Sequence, residues 1–121
     1  MRSSRGERDR LKAQEMSAEQ NLIAAKRSVE EQVRSALLEY THAERRLDAA
    51  EAGVNAAREL VRIGDIEFKV GRVSAFEVVR LNADLASAQL RYSRALVRAA
   101  KASTALRRLT GEGFDVATPS R

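Results

Sequence analysis

The sequence predicts an all-α fold, a long antiparallel αα-hairpin of coiled-coil type. Three observations carry that reading. A stop signal and a start signal for helices lie within four residues, at Gly71 and Ser74. The stretches on either side show apolar residues at helical spacing, without an alternating strand pattern. The composition is rich in Ala, Leu, Glu and Arg, with 44% hydrophobic but only 4% aromatic residues, which suits long helices better than a globular core.

In chain order, residues 1–6 (through Arg2-Ser3-Ser4-Arg5-Gly6) read as a polar lead-in, with Gly6 as its boundary. A first helix is expected over 7–69. Gly53 and Gly64 interrupt it only in propensity, each costing on the order of 1 kcal/mol against alanine. The turn occupies 70–74. Gly71 can take positive φ as the C′ residue of the first helix. Ser74 is the N-cap of the second, and Glu77 three residues on gives the S-x-x-E pattern of a capping box. Val73 and Val78 stand at the two positions of a hydrophobic staple. The second helix is expected over 75–110, with Gly111 as its C′ residue, and residues 111–121 read as an irregular tail. The one proline, Pro119, lies in that tail and breaks no helix.

The second arm reaches back only to about Arg34. The part of the first helix from about Glu7 to Val33 therefore has no partner within the chain, although Leu11, Leu22, Ile23, Val29 and Val33 give it an apolar stripe. It either frays or packs on another chain, and packing is the favoured outcome.

The seam between the arms is legible as a heptad hand-off. Tyr40, Leu47, Val54, Val61 and Phe68 form a large row, interleaved with a small row of Ala36, Ala43, Ala50, Ala57 and Gly64. On the second helix the matching series runs Val78, Leu81, Leu85, Ala88, Tyr92, Ala95, Ala99, Ala102, Leu106, Leu109. Each helix also carries a second apolar row: Ala49, Ala52, Ala56, Leu60, Ile63 and Ile66 on the first, and Val79, Ala83, Ala86, Leu90, Val97 and Ala100 on the second. Two rows per helix imply two neighbours per helix. A compact bundle and a ring of hairpins both meet that requirement.

The formal net charge is +5. The excess arginine sits near the N-terminus (Arg2, Arg5, Arg8, Arg10) and along the second helix (Arg91, Arg94, Arg98, Arg107, Arg108). Elsewhere charges of both signs alternate, as in Glu30-Glu31 with Arg34, the pattern of a solvated helix face. No aromatic residues accompany the basic ones to stack on bases, so nucleic acid is not the expected partner. There is no apolar run near the roughly 18 residues of a membrane span and no signal-peptide pattern. The chain is expected to be soluble, meeting a membrane only through segments absent from it.

Catalytic chemistry finds no support in these residues. His42 is the one histidine and has no carboxylate constellation around it. Ser93, Ser103 and Thr104 have no base at hand and read as packing residues. Gly71 and Gly111 follow no strand and form no phosphate loop. No cysteine exists for a thiolate site. The expectation is no enzyme, no cofactor and no metal site.

The stretch from Phe68 to Leu109 resembles the TolC-like outer membrane efflux family. The tip of a periplasmic hairpin in that family reads aromatic-x-x-Gly-hydrophobic-x-Ser/Asp-x-x-Asp/Glu-Val-Leu. Phe68, Gly71, Ser74, Glu77 and Val78-Val79 stand at those positions here. Tyr92 matches a late tyrosine, and Leu106, Leu109 and Gly111 the closing Leu-x-x-Leu-x-Gly. Arg5-Gly6-Glu7 is similar to the point where a barrel strand gives way to the second hairpin. The resemblance covers about Arg5 to Gly111.

It implies a fragment of an α-barrel: the second periplasmic helical hairpin of a homotrimeric channel whose β-barrel sits in the cell outer membrane. Such a channel exports small molecules or metal ions as part of a tripartite pump. Its partners are a periplasmic adaptor protein and, through it, an inner-membrane pump. The adaptor-docking tip would be Val70, Gly71, Arg72, Val73 and Ser74. Phe68 would narrow the tunnel mouth, or else be the last large knob of the seam, and Tyr40 and Tyr92 would be packing or tunnel-lining residues. Arg72 departs from the family pattern, which favours a hydrophobic or small residue there, and turns the contact toward an acidic partner. The alternative to the channel is a self-standing homo-oligomeric coiled-coil interaction module.

Overall fold

The computed structural model describes residues 2–111, with side chains described from Ser4 onward. Two helices make up the fold, α1 (Arg2–Lys69) and α2 (Ala75–Thr110), packed against each other as a hairpin. Helix α1 begins ahead of the expected start near Glu7, so residues 2–6 are helical rather than a lead-in. Gly6 lowers propensity, but with negative φ and no stop signal beside it, it does not end a helix. The expected irregular tail, apart from Gly111, lies outside the described residues.

The chain divides into two units, Met1–Ser35 and Ala36–Arg121. In the first, α1 is uncovered throughout residues 4–32, and Leu11, Met16, Leu22, Ile23 and Val29 are all exposed. The favoured expectation, packing on another chain, would have to cover these residues.

The second unit holds the hairpin core. Ala43, Val54, Ala57, Ala88 and Ala102 are buried, together with Gly64, and among the described residues no charged or polar one is buried. Half-buried between them are Ala36, Tyr40, Leu47, Ala50 and Val61 on α1, and Leu81, Leu85, Tyr92, Ala95, Ala99 and Leu106 on α2. This is the heptad seam read from the sequence. Its small row brings the two backbones close, which is why alanine rather than leucine dominates the buried set. Val54, Ala57 and Ala88 form its centre, with Leu85 and Tyr92 packed on them. Tyr92 is thus a packing residue.

The seam departs from expectation at its last turn. Phe68 is 47% exposed, while Glu67 is half-buried in its place. The seam runs Val61, Gly64, Glu67, a three-residue last step where the heptad would take four, and Phe68 is not the last knob.

The second apolar rows are uncovered by this chain. Leu60, Ile63, Ile66, Val79, Leu90 and Val97 are all exposed.

Candidate functional site: the hairpin tip

The chain reverses through residues 70–74, and the sequence dictates each bond of the reversal. Gly71 takes φ 75, open to glycine without a Cβ penalty. Its N–H donates to the Phe68 carbonyl at 3.0 Å, and the Arg72 N–H to the Glu67 carbonyl at 2.8 Å. This pair of bonds is a full Schellman motif and satisfies two carbonyls left over at the end of α1. A Schellman motif ordinarily adds a hydrophobic contact between the residues now occupied by Arg72 and Glu67. Here those two form an ion pair instead, Arg72 Nη1 to Glu67 Oε1 at 3.6 Å.

Ser74 opens α2 with extended backbone (φ −81, ψ 162), and its Oγ accepts from the Glu77 N–H at 3.3 Å. The expected reciprocal half of the capping box is not formed. Glu77 turns outward and accepts from Arg80 Nε at 3.1 Å and Nη2 at 2.6 Å. A bidentate guanidinium one turn along the helix outcompetes a single backbone N–H. That fork holds the Glu77 carboxyl below the usual range, with partial burial opposing it. Val73 and Val78, the staple pair, are both half-buried.

Of the five tip residues expected from sequence, Val70, Gly71, Arg72 and Ser74 are exposed and Val73 is half-buried. Phe68 flanks them. The structure adds one residue that the sequence reading passed over. Phe76, in the first turn of α2, is 86% exposed, with Val70 and Val79 also open to solvent. Its signal was present, because a phenylalanine outside the Val78-Leu81-Leu85 seam at a helix start has no intrachain surface to cover. The tip thus presents the exposed apolar side chains of Val70, Phe76 and Val79 together with the guanidinium groups of Arg72 and Arg80. Among the described residues no His/Cys/Asp/Glu group is arranged to hold a metal ion.

Residues 2–112 match the family model described as outer membrane efflux protein. The chain belongs to that family. No curated protein and no solved structure matches it. Membership places the protein in a family of outer membrane efflux channels. Among the described residues no helix is long and apolar enough to cross a membrane. The family match spans both units, so the uncovered first half of α1 belongs to the family domain as much as the hairpin does.

Proposed function

We propose that this chain is the periplasmic helical hairpin of an outer membrane efflux channel, and that its tip docks a periplasmic adaptor. In this reading the full-length channel is a homotrimer. Through the adaptor it joins an inner-membrane pump and exports small molecules or metal ions. Selectivity resides in the pump, because the hairpin offers a wall and no binding chemistry.

One observation carries the docking role: Val70, Phe76 and Val79 stand exposed at the reversal, around Arg72. Exposed apolar groups around a charged one make a surface suited to a partner of limited area. Arg72 is 72% exposed and its 3.6 Å pairing with Glu67 is loose. An exposed pair of this kind is worth at most about 1 kcal/mol. Arg72 can therefore exchange Glu67 for a carboxylate on the partner at little cost, which favours an adaptor tip bearing an acidic residue. Phe68, beside this surface, is the proposed constriction of the tunnel mouth.

The test is export by the full-length channel carrying Arg72→Glu, or Val70→Asp with Phe76→Asp. Loss of export with normal channel abundance is the expected result. Unchanged export and unchanged adaptor binding would remove the docking role and leave the interaction-module reading, which the uncovered second apolar rows also favour.

A further inference from the structure

Two grooves run between α1 and α2 in the second unit. One is lined by Glu51, Asn55, Arg58 and Gln89 among others, and so carries both signs of charge. The other, of about 450 Å³, has a floor of alanines and Gly53. Its rim is Arg46 from α1 and Arg91, Arg94 and Arg98 from α2, and no carboxylate lines it. Glu39 reaches Arg98 from outside the groove, at 3.3 Å. Arg46, Arg91 and Arg94 have no counter-charge among the described residues.

The sequence of α2 shows why its arginines stay unpaired. From Leu85 to Gly111 it holds six cations, Arg91, Arg94, Arg98, Lys101, Arg107 and Arg108, and not one Asp or Glu. No carboxylate stands at i,i+3 or i,i+4, and Arg91, Arg94 and Arg98 repel one another at those spacings. Gly53 is a second and independent sign. A glycine inside a helix lowers its propensity. Packing explains Gly64, where Leu81 lies too close for a Cβ, but a Cβ on Gly53 would meet nothing within 4 Å. What Gly53 keeps clear is the floor of the arginine groove.

We infer that this groove binds a small anion of two linked phosphate groups, held by Arg46, Arg91 and Arg94 above Gly53. Charge sets the class of ligand. Three guanidiniums lack a counter-charge, and a phosphate group brings about −1.5 to −2 near neutral pH, so two phosphates match them and one does not. Each guanidinium is a planar fork that can take two phosphate oxygens at once. No aromatic side chain lines the groove, so a nucleobase would find nothing to stack on. With Arg46 on one helix and Arg91 and Arg94 on the other, the bound anion ties the two arms together. It is a resident ligand rather than exported cargo, which goes beyond the passive wall proposed for the hairpin. The site depends on neither adaptor docking nor channel assembly, and none of its residues lies at the tip.

Isothermal titration calorimetry of the 121-residue chain with pyrophosphate tests it. One ion per chain is expected, bound about tenfold more tightly than orthophosphate and more weakly as NaCl is added. Arg46→Gln, or Arg91→Gln with Arg94→Gln, should weaken binding about tenfold or more. Glu39→Gln releases Arg98 and should tighten binding. Gly53→Leu should abolish binding while helicity by circular dichroism is unchanged. Arg58→Gln removes one cation from the other groove and should leave binding within about twofold of wild type. Absence of pyrophosphate binding, equal losses from Arg58→Gln and Arg46→Gln, or undiminished binding by Gly53→Leu would each overturn the inference.

Discussion

Leu81 occupies the space that a side chain on Gly64 would need. A Cβ built on Gly64 would lie 2.5 Å from Leu81 Cδ1. Gly64 is buried in the seam and sits one turn before the reversal, so the close approach of the helices there depends on its missing side chain.

Gly64 and Gly53 should consequently respond in opposite ways to the same chemistry. Gly53 has open space above it, and Gly53→Ala is expected to stabilise the hairpin by about 1 kcal/mol through helix propensity alone. Gly64→Ala gains the same propensity but displaces Leu81, so its net effect is smaller. Gly64→Leu overpacks the seam and should destabilise by about 1–3 kcal/mol. Urea denaturation of the three variants checks the order. A Leu81→Ala background should relieve part of the Gly64→Leu penalty.

Gly71 is constrained differently, by its backbone. At φ 75 an L-residue is strained, so Gly71→Ala should cost about 1–2 kcal/mol, with Gly71→Asn costing less. Since nothing lies within 4 Å of a Cβ there, any loss measured by denaturation reports conformation and not a clash.

The start of α2 hangs on the Ser74 cap. Ser74→Ala should destabilise by about 1 kcal/mol, because the Glu77 N–H then loses its side-chain acceptor. Ser74→Asp should retain most of the stability.

Acid should act on the same helix end through Glu77. Hydrogen bonding from Arg80 lowers the folded carboxyl below its unfolded value. Its stabilisation is therefore fully present above the unfolded pKa, near 4.3 for a glutamate, and is lost as pH falls through the lower folded value. The difference in melting temperature between wild type and Glu77→Gln should be constant near neutral pH and vanish in strong acid. Glu59, held low by its hydrogen bond from Arg62, contributes with the same sign.

Most of the hairpin was legible because its signals are local. Gly71 and Ser74 mark a reversal whatever surrounds them, and the Tyr40-Leu47-Val54-Val61 repeat needs only a helix to become a stripe. What escaped depends on competition or on register. Whether Glu77 caps Ser74 or pairs with Arg80 is settled between two nearby partners. Whether Phe68 or Glu67 faces α2 depends on whether the seam's last step from Gly64 is three residues or four, which no local signal fixes. The start of α1 at Arg2 hid behind a glycine that lowers propensity without stopping a helix. The arginine groove needs the relative height of two helices, which no single stretch of sequence contains. At the tip, the five candidate residues were named from their positions, while the exposure of Phe76 emerged only once the seam was fixed.

The reversal at residues 70–74 underlies the tip, the grooves and the paired seam. Spin labels at Asn55 and Gln89, which line one groove from opposite helices, measure it directly by pulsed electron resonance. The hairpin predicts a distance below about 20 Å, allowing for two label linkers across neighbouring helices 8–10 Å apart. A continuous helix through Gly71 would separate the labels by about 50 Å at 1.5 Å per residue, and that result would contradict the account.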